Sequence, residues 1–175
     1  MMTWKELLTS EMEYSYAVSE NLMKMVTDDD LSWKPATGTN WMTTGQLLYH
    51  ITEACGMCFK GFVTGDWGMP EGMDPGEMDP EAMLPSAEKM AAVSSVDEAL
   101  AMLAKDREVA REMLAVVTED DLENREAPAP WDPSTVNLGY RLLQMVGHLN
   151  SHKSQLFYYL KLQGKPVHTG HLWGV

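Results

Sequence analysis

His148 and His152 stand four residues apart in the segment Gly147-His148-Leu149-Asn150-Ser151-His152-Lys153. On a helix that spacing puts both imidazoles on one face, about one turn from each other, where they can share a metal ion. A third histidine, His50, lies in the amphipathic segment Gln46-Leu47-Leu48-Tyr49-His50-Ile51-Thr52-Glu53-Ala54. If the two segments face one another, three neutral nitrogen donors converge. Three imidazoles leave a divalent ion its full positive charge and open positions for water or substrate, as in catalytic rather than closed structural sites. Such an ion lowers the pKa of a water or thiol placed against it. Zinc, nickel, iron and copper all accept imidazole, so these residues do not choose among them. The protease-type HExxH is absent, because Leu149, Asn150 and Ser151 separate the pair.

Around the histidines the helical stripe reads Arg141, Met145, His148, His152, Gln155 and Tyr159. A core-facing row of this mixed kind holds donors that must find partners, and a cavity with a metal and water would supply them. Glu53, three residues after His50, is the nearest candidate acid or base. Gln155 and Tyr159 could orient a ligand, and Arg141 could hold a substrate carboxylate. The plainer reading stands beside these: HxxxH arises easily by chance, and acids on helices are most often solvated. His168 and His171 fall in the C-terminal tail and share no helical register with the other three. Cys55 and Cys58 read as small packing residues. They lie more than two turns into a predicted helix, away from the helix N-terminus that would favour thiolate, and a bond between them would close a very short loop.

Four helical segments must position these groups. The first spans about Thr3 to Val26, with Trp4, Leu7, Leu8, Met12, Val18, Leu22, Met25 and Val26 at roughly helical spacing. The connection from Leu31 to Trp41, rich in turn formers and aromatic anchors, packs over one end. Thr43 with Gln46 forms a capping box for a second helix that runs unbroken to Thr64-Gly65. From Asp66 to Ser94 prolines, glycines, acids and methionines alternate, which a long helix does not tolerate. Ser95 with Glu98 caps a third helix ending near Val117, closed by Thr118-Glu119-Asp120-Asp121. The fourth begins at Ser134 or Thr135 and runs to Gln163, where Gly164 and Pro166 stop it. The expectation is an all-α four-helix bundle in one domain spanning residues 1–175, with a long Pro/Met/Gly-rich connection between helices 2 and 3.

Composition removes whole function classes. Thirteen Lys and Arg against 26 Asp and Glu give a net charge of −13 over 175 residues, which repels nucleic acid and anionic lipid alike. The first residues carry charge at once, and no window holds 18 continuous apolar residues, so the chain reads as a soluble cytoplasmic protein. Two cysteines exclude a disulfide scaffold.

Two blocks resemble the DinB-like superfamily of metal-binding four-helix bundles, over nearly the whole chain. One is Leu31-Ser32-Trp33-Lys34-Pro35 followed by Trp41-Met42-Thr43-Thr44-Gly45-Gln46-Leu47-Leu48-Tyr49-His50-Ile51. The other runs from Gly147 through His148, His152 and Gln155 to Gly164, where the family commonly reads HxxxHRGQ; Lys153 and Ser154 replace the usual Arg and Gly. The resemblance implies that His50, His148 and His152 are the metal ligands, that the ion is nickel, zinc or a related divalent cation, and that the protein is a homodimer. Thiol-dependent transferases and a thiol-dependent isomerase are among its characterised members. The expected function is therefore a metal-dependent transferase joining a low-molecular-weight thiol to a small electrophilic substrate. Metal-assisted hydrolysis with Glu53 shuttling protons is the alternative enzyme, and a non-catalytic metal or small-ligand binding bundle is the alternative outside enzymes.

Overall fold

Thr3 and Glu6 close a reciprocal capping box at the start of the first helix, α1 (Trp4–Met23), which buries Leu8, Met12, Tyr16, Ser19 and Leu22. The computed structural model describes residues 2–68, 85–132 and 134–175. These residues form helices, turns and two isolated bridges, so the all-α expectation holds for them. Most of the expected 66–94 connection, residues 69–84, lies outside the described residues. Its described end carries a short 3-10 turn, Ala87–Lys89, tied to the rest by Gln46 Nε2 donating to the Met90 carbonyl (2.9 Å) and by the Ala87 amide donating to Asn40 Oδ1 (2.9 Å).

The expected unbroken second helix is two helices. Thr43 and Gln46 do form the capping box, but α2 covers Thr44–Ile51 and α3 restarts at Gly56–Thr64. The cause sits on the next long helix, α4 (Val96–Val116), which brings the buried Asp106 against the restart. Its carboxylate accepts from the amides of Gly56 (2.9 Å) and Met57 (2.8 Å) and from the Tyr16 hydroxyl (2.6 Å). A buried carboxylate requires such donors, and the break supplies them from the backbone. Gly56 is what permits the approach: a Cβ there would lie 2.0 Å from the Asp106 carbonyl oxygen. Apolar periodicity continues across residues 52–55 and conceals the interruption.

Three smaller departures have local causes. Thr118 with Asp121 does not merely close a helix but caps a further one, α5 (Glu119–Asn124). The last long helix, α6 (Leu138–Leu162), starts later than Ser134 or Thr135, capped by Asn137 onto the Tyr140 amide. Ser134 is engaged in a turn with Asp132, while the Ala127 amide donates to the Val136 carbonyl (2.9 Å) and the Leu138 amide to the Arg125 carbonyl (2.8 Å), holding the approach extended. The tail folds as α7 (Thr169–Trp173), and the buried Lys153 ammonium donates to the Leu172 carbonyl (3.0 Å).

Packing then decides what meets what. α1 lies against α4 and α6, α3 against α4 and α6, and α2 against α6. The Leu31–Trp41 connection covers one end, where Trp33 and Trp41 stand edge-on to the buried Tyr159. Among the described residues no helix is long and apolar enough to cross a membrane.

Candidate metal centre

α2 carries His50 in its last turn and α6 carries His148 and His152 near its middle, so the α2–α6 contact brings the three rings together. Their Nε2 atoms form a triangle with edges of 3.2 Å (His50–His148), 3.1 Å (His50–His152) and 3.0 Å (His148–His152). Two nitrogens sharing one divalent ion at about 2.0–2.1 Å stand roughly 2.9 Å apart at a right angle and roughly 3.4 Å apart at the tetrahedral angle. The triangle falls between these limits, so the donor set fits a metal.

Tautomers sharpen the point. His148 Nδ1 lies 3.2 Å from the Ala54 carbonyl, which can only accept, so Nδ1 carries the proton. The Tyr159 hydroxyl donates to the Met42 carbonyl (2.9 Å), so its oxygen faces the Gln155 amide nitrogen (3.4 Å) as acceptor. That turns Gln155 Oε1 toward His152 Nδ1 (2.9 Å), which must therefore also be protonated. Both Nε2 atoms on α6 are then bare lone pairs 3.0 Å apart. Lone pairs at that distance repel unless a positive charge stands between them, and these hydrogen bonds to the outer ring nitrogens are what orients histidine ligands. Burial pushes His50 down to about 4, with His152 and His148 adding to the effect. Burial lowers His148 and His152 as well, partly opposed by the bonds to Ala54 and Gln155. At neutral pH all three are uncharged and able to ligate.

The sequence pattern of the DinB superfamily matches residues 11–156. The chain belongs to the DinB superfamily. A crystal structure of a DinB-like protein from Bacillus cereus is similar at a TM-score of 0.67, with 18% identity, over 93% of this chain and 94% of that one. At that identity the likeness speaks for the fold. None of the curated proteins matches the sequence.

In this DinB-superfamily chain a cavity of about 590 Å³ opens on His50 and His148, within the range of small-molecule sites. Glu53 lines it, exposed, from the interruption between α2 and α3. Gln155 and Tyr159 reach the centre through His152 rather than through the cavity. Arg141 borders the cavity but is 2% exposed, and its guanidinium is engaged by the neighbouring loop: Nε donates to the Ala127 carbonyl, Nη1 to Asp132 Oδ2 and Gln144 Oε1, and Nη2 to the Asp132 and Ser134 carbonyls. It clamps Ala127, Asp132 and Ser134 and has no donor left for the carboxylate expected of it.

Two groups escaped the sequence reading. Asp106 holds the interruption from which the Ala54 carbonyl reaches His148, and burial raises its pKa against the bonds from Tyr16, Gly56 and Met57. Its signal was readable, since Ala99, Leu103, Asp106, Ala110 and Leu114 follow one buried helical face. Trp131, on the cavity wall, sits in a loop without periodicity. The restart of α3 also moves Cys58 from mid-helix into a first turn. Burial nonetheless pushes its thiol up to about 12, with Asp106 and Glu53 adding, and Cys55 goes up for the same first reason. Asp106 already occupies the amides of that helix end, so the packing reading of both cysteines fits the structure.

Proposed function

We propose that this protein is a metal-dependent transferase that joins a low-molecular-weight thiol to a small electrophile, using a nickel or zinc ion held by His50, His148 and His152. The observation that carries this reading is the convergence of three uncharged imidazoles, two with their lone pairs set by outer hydrogen bonds, on the wall of a small-molecule cavity. A divalent ion supplies there the positive charge that favours a thiol's anionic form at neutral pH. The chain's own residues do the remainder. Ala54 and Gln155 keep the donors aimed, and Trp131 and Met145 supply the apolar lining of one wall. The Glu53 carboxylate takes the proton as the thiol becomes thiolate, and the thiolate then forms the carbon–sulfur bond while the leaving group departs with its electron pair. We read the packing as a four-helix bundle whose second helix is in two pieces, with residues 66–94 as its long connection.

Loading the protein with cobalt(II) and titrating glutathione and cysteine tests the proposal. A thiolate-to-metal absorption band that His148→Ala removes is expected, and no band across a panel of small thiols would sink the transferase. Placement of Glu53 in the same cavity favours one second reading, metal-assisted hydrolysis. It predicts turnover of esters or amides that both His50→Ala and Glu53→Gln abolish.

A further inference from the structure

The cavity beside the histidines has a charge pattern that discriminates between substrates. Asp132 and Arg141 cancel one another through an ion pair of 2.9 Å. The Ser134 amide and hydroxyl occupy the two Asp132 oxygens in addition, so neither charge is free to receive a ligand. Glu53 differs. It is exposed, it lines the cavity, and its carboxylate faces the Tyr49 hydroxyl rather than a guanidinium. Lys105 shares a second, separate cleft with Glu53 and Asp106. The cavity also has an aromatic wall: Trp131 is 41% exposed and is braced edge-on by Trp67 (5.5 Å between ring centroids) and Phe62 (6.1 Å). An indole face braced by other rings attracts a cation, and a nearby carboxylate adds to the attraction. The chain's net charge of −13 acts in the same direction at longer range.

We propose that this cavity binds small molecules carrying a protonated amine next to an aromatic or apolar body, held between Glu53 and Trp131, whereas a carboxylate counterpart finds a partner there only in an ion on the histidines. The inference rests on the same site as the proposed function and names its substrate class. It reverses the expectation that Arg141 would bind an anionic group, because the loop has taken every guanidinium donor.

A matched pair of probes tests it: phenethylamine and 3-phenylpropionate, which share ring and spacer and differ in charge. Each is titrated into the metal-free protein and into the zinc-loaded protein, following the Trp131 indole N–H resonance. In the metal-free protein phenethylamine is expected to shift that resonance at a concentration roughly tenfold below 3-phenylpropionate, the product of one cation–π contact and one screened charge pair. Zinc on the histidines should narrow the gap by drawing in the carboxylate. Glu53→Gln should bring the preference to within about threefold while melting temperature and zinc stoichiometry stay as in the wild type. In the metal-free protein, equal affinities, a preference for the carboxylate, or no shift with either probe would overturn the proposal. If zinc binds one per chain and the carboxylate wins in the metal-free protein, the substrate class fails and the metal centre stands. If the wild type binds no zinc, the metal centre fails, and the amine preference is still read in the metal-free protein.

Discussion

Replacing Asp106 by alanine tests whether a side chain on α4 holds the candidate ligand His148 on α6 in place. The carboxylate is 4% exposed and accepts three hydrogen bonds, from Gly56 N, Met57 N and Tyr16 Oη. Removing it strands the buried Gly56 amide, the part-buried Met57 amide and a buried hydroxyl, at about 1–3 kcal/mol for each group that finds no substitute. Gly56 N retains a long contact to the Tyr16 oxygen (3.1 Å), which discounts one of the three. The expected loss is about 3–5 kcal/mol, a large share of the roughly 5–15 kcal/mol available to a domain. Urea unfolding should show it as a lower midpoint at unchanged slope. Asp106→Asn keeps one acceptor oxygen, should lose about half as much, and should stay folded for a second measurement. If the interruption positions Ala54, and Ala54 positions His148, nickel affinity in that variant falls roughly tenfold. An Asp106→Ala protein within about 0.5 kcal/mol of wild type would refute the capping argument. A destabilised Asp106→Asn protein with wild-type nickel affinity would refute the link to the histidines.

Further outcomes follow from the same geometry. His50 is held down at about 4 against an ordinary 6.5, so the unfolded chain binds the proton more readily; stability of the metal-free protein is full above about 6.5 and is lost as pH falls toward 4. The loss is at most about 3 kcal/mol after discounting for the ring's solvent-facing edge, and urea midpoints between pH 7.5 and 4 should flatten in His50→Asn. Gly56→Ala should cost about 2–4 kcal/mol, read as a lower melting temperature, because the new Cβ meets α4 backbone rather than a side-chain tip. Arg141→Lys should lose about 2–3 kcal/mol and open the stretch from Arg125 to Asp132 to proteolysis, since an ammonium cannot reproduce the fork that joins Ala127, Asp132 and Ser134. Unchanged cleavage there would refute the clamp.

What the amino-acid order determined by itself is local. Thr43 with Gln46 could be read as a helix start, because a capping box is complete within four residues. The shared face of His148 and His152 follows from helical pitch alone. Tertiary structure decided everything that depends on two distant stretches meeting. His50 and His152 are 102 residues apart in the chain, and only the packing of α2 on α6 brings their nitrogens to 3.1 Å. Likewise the broken second helix, invisible in an unbroken apolar pattern, comes from a carboxylate 50 residues away whose burial requires backbone donors. Arg141 shows the same division: its charge was legible, but whether a loop or a ligand would use it depended on how Ala127, Asp132 and Ser134 come to lie against α6.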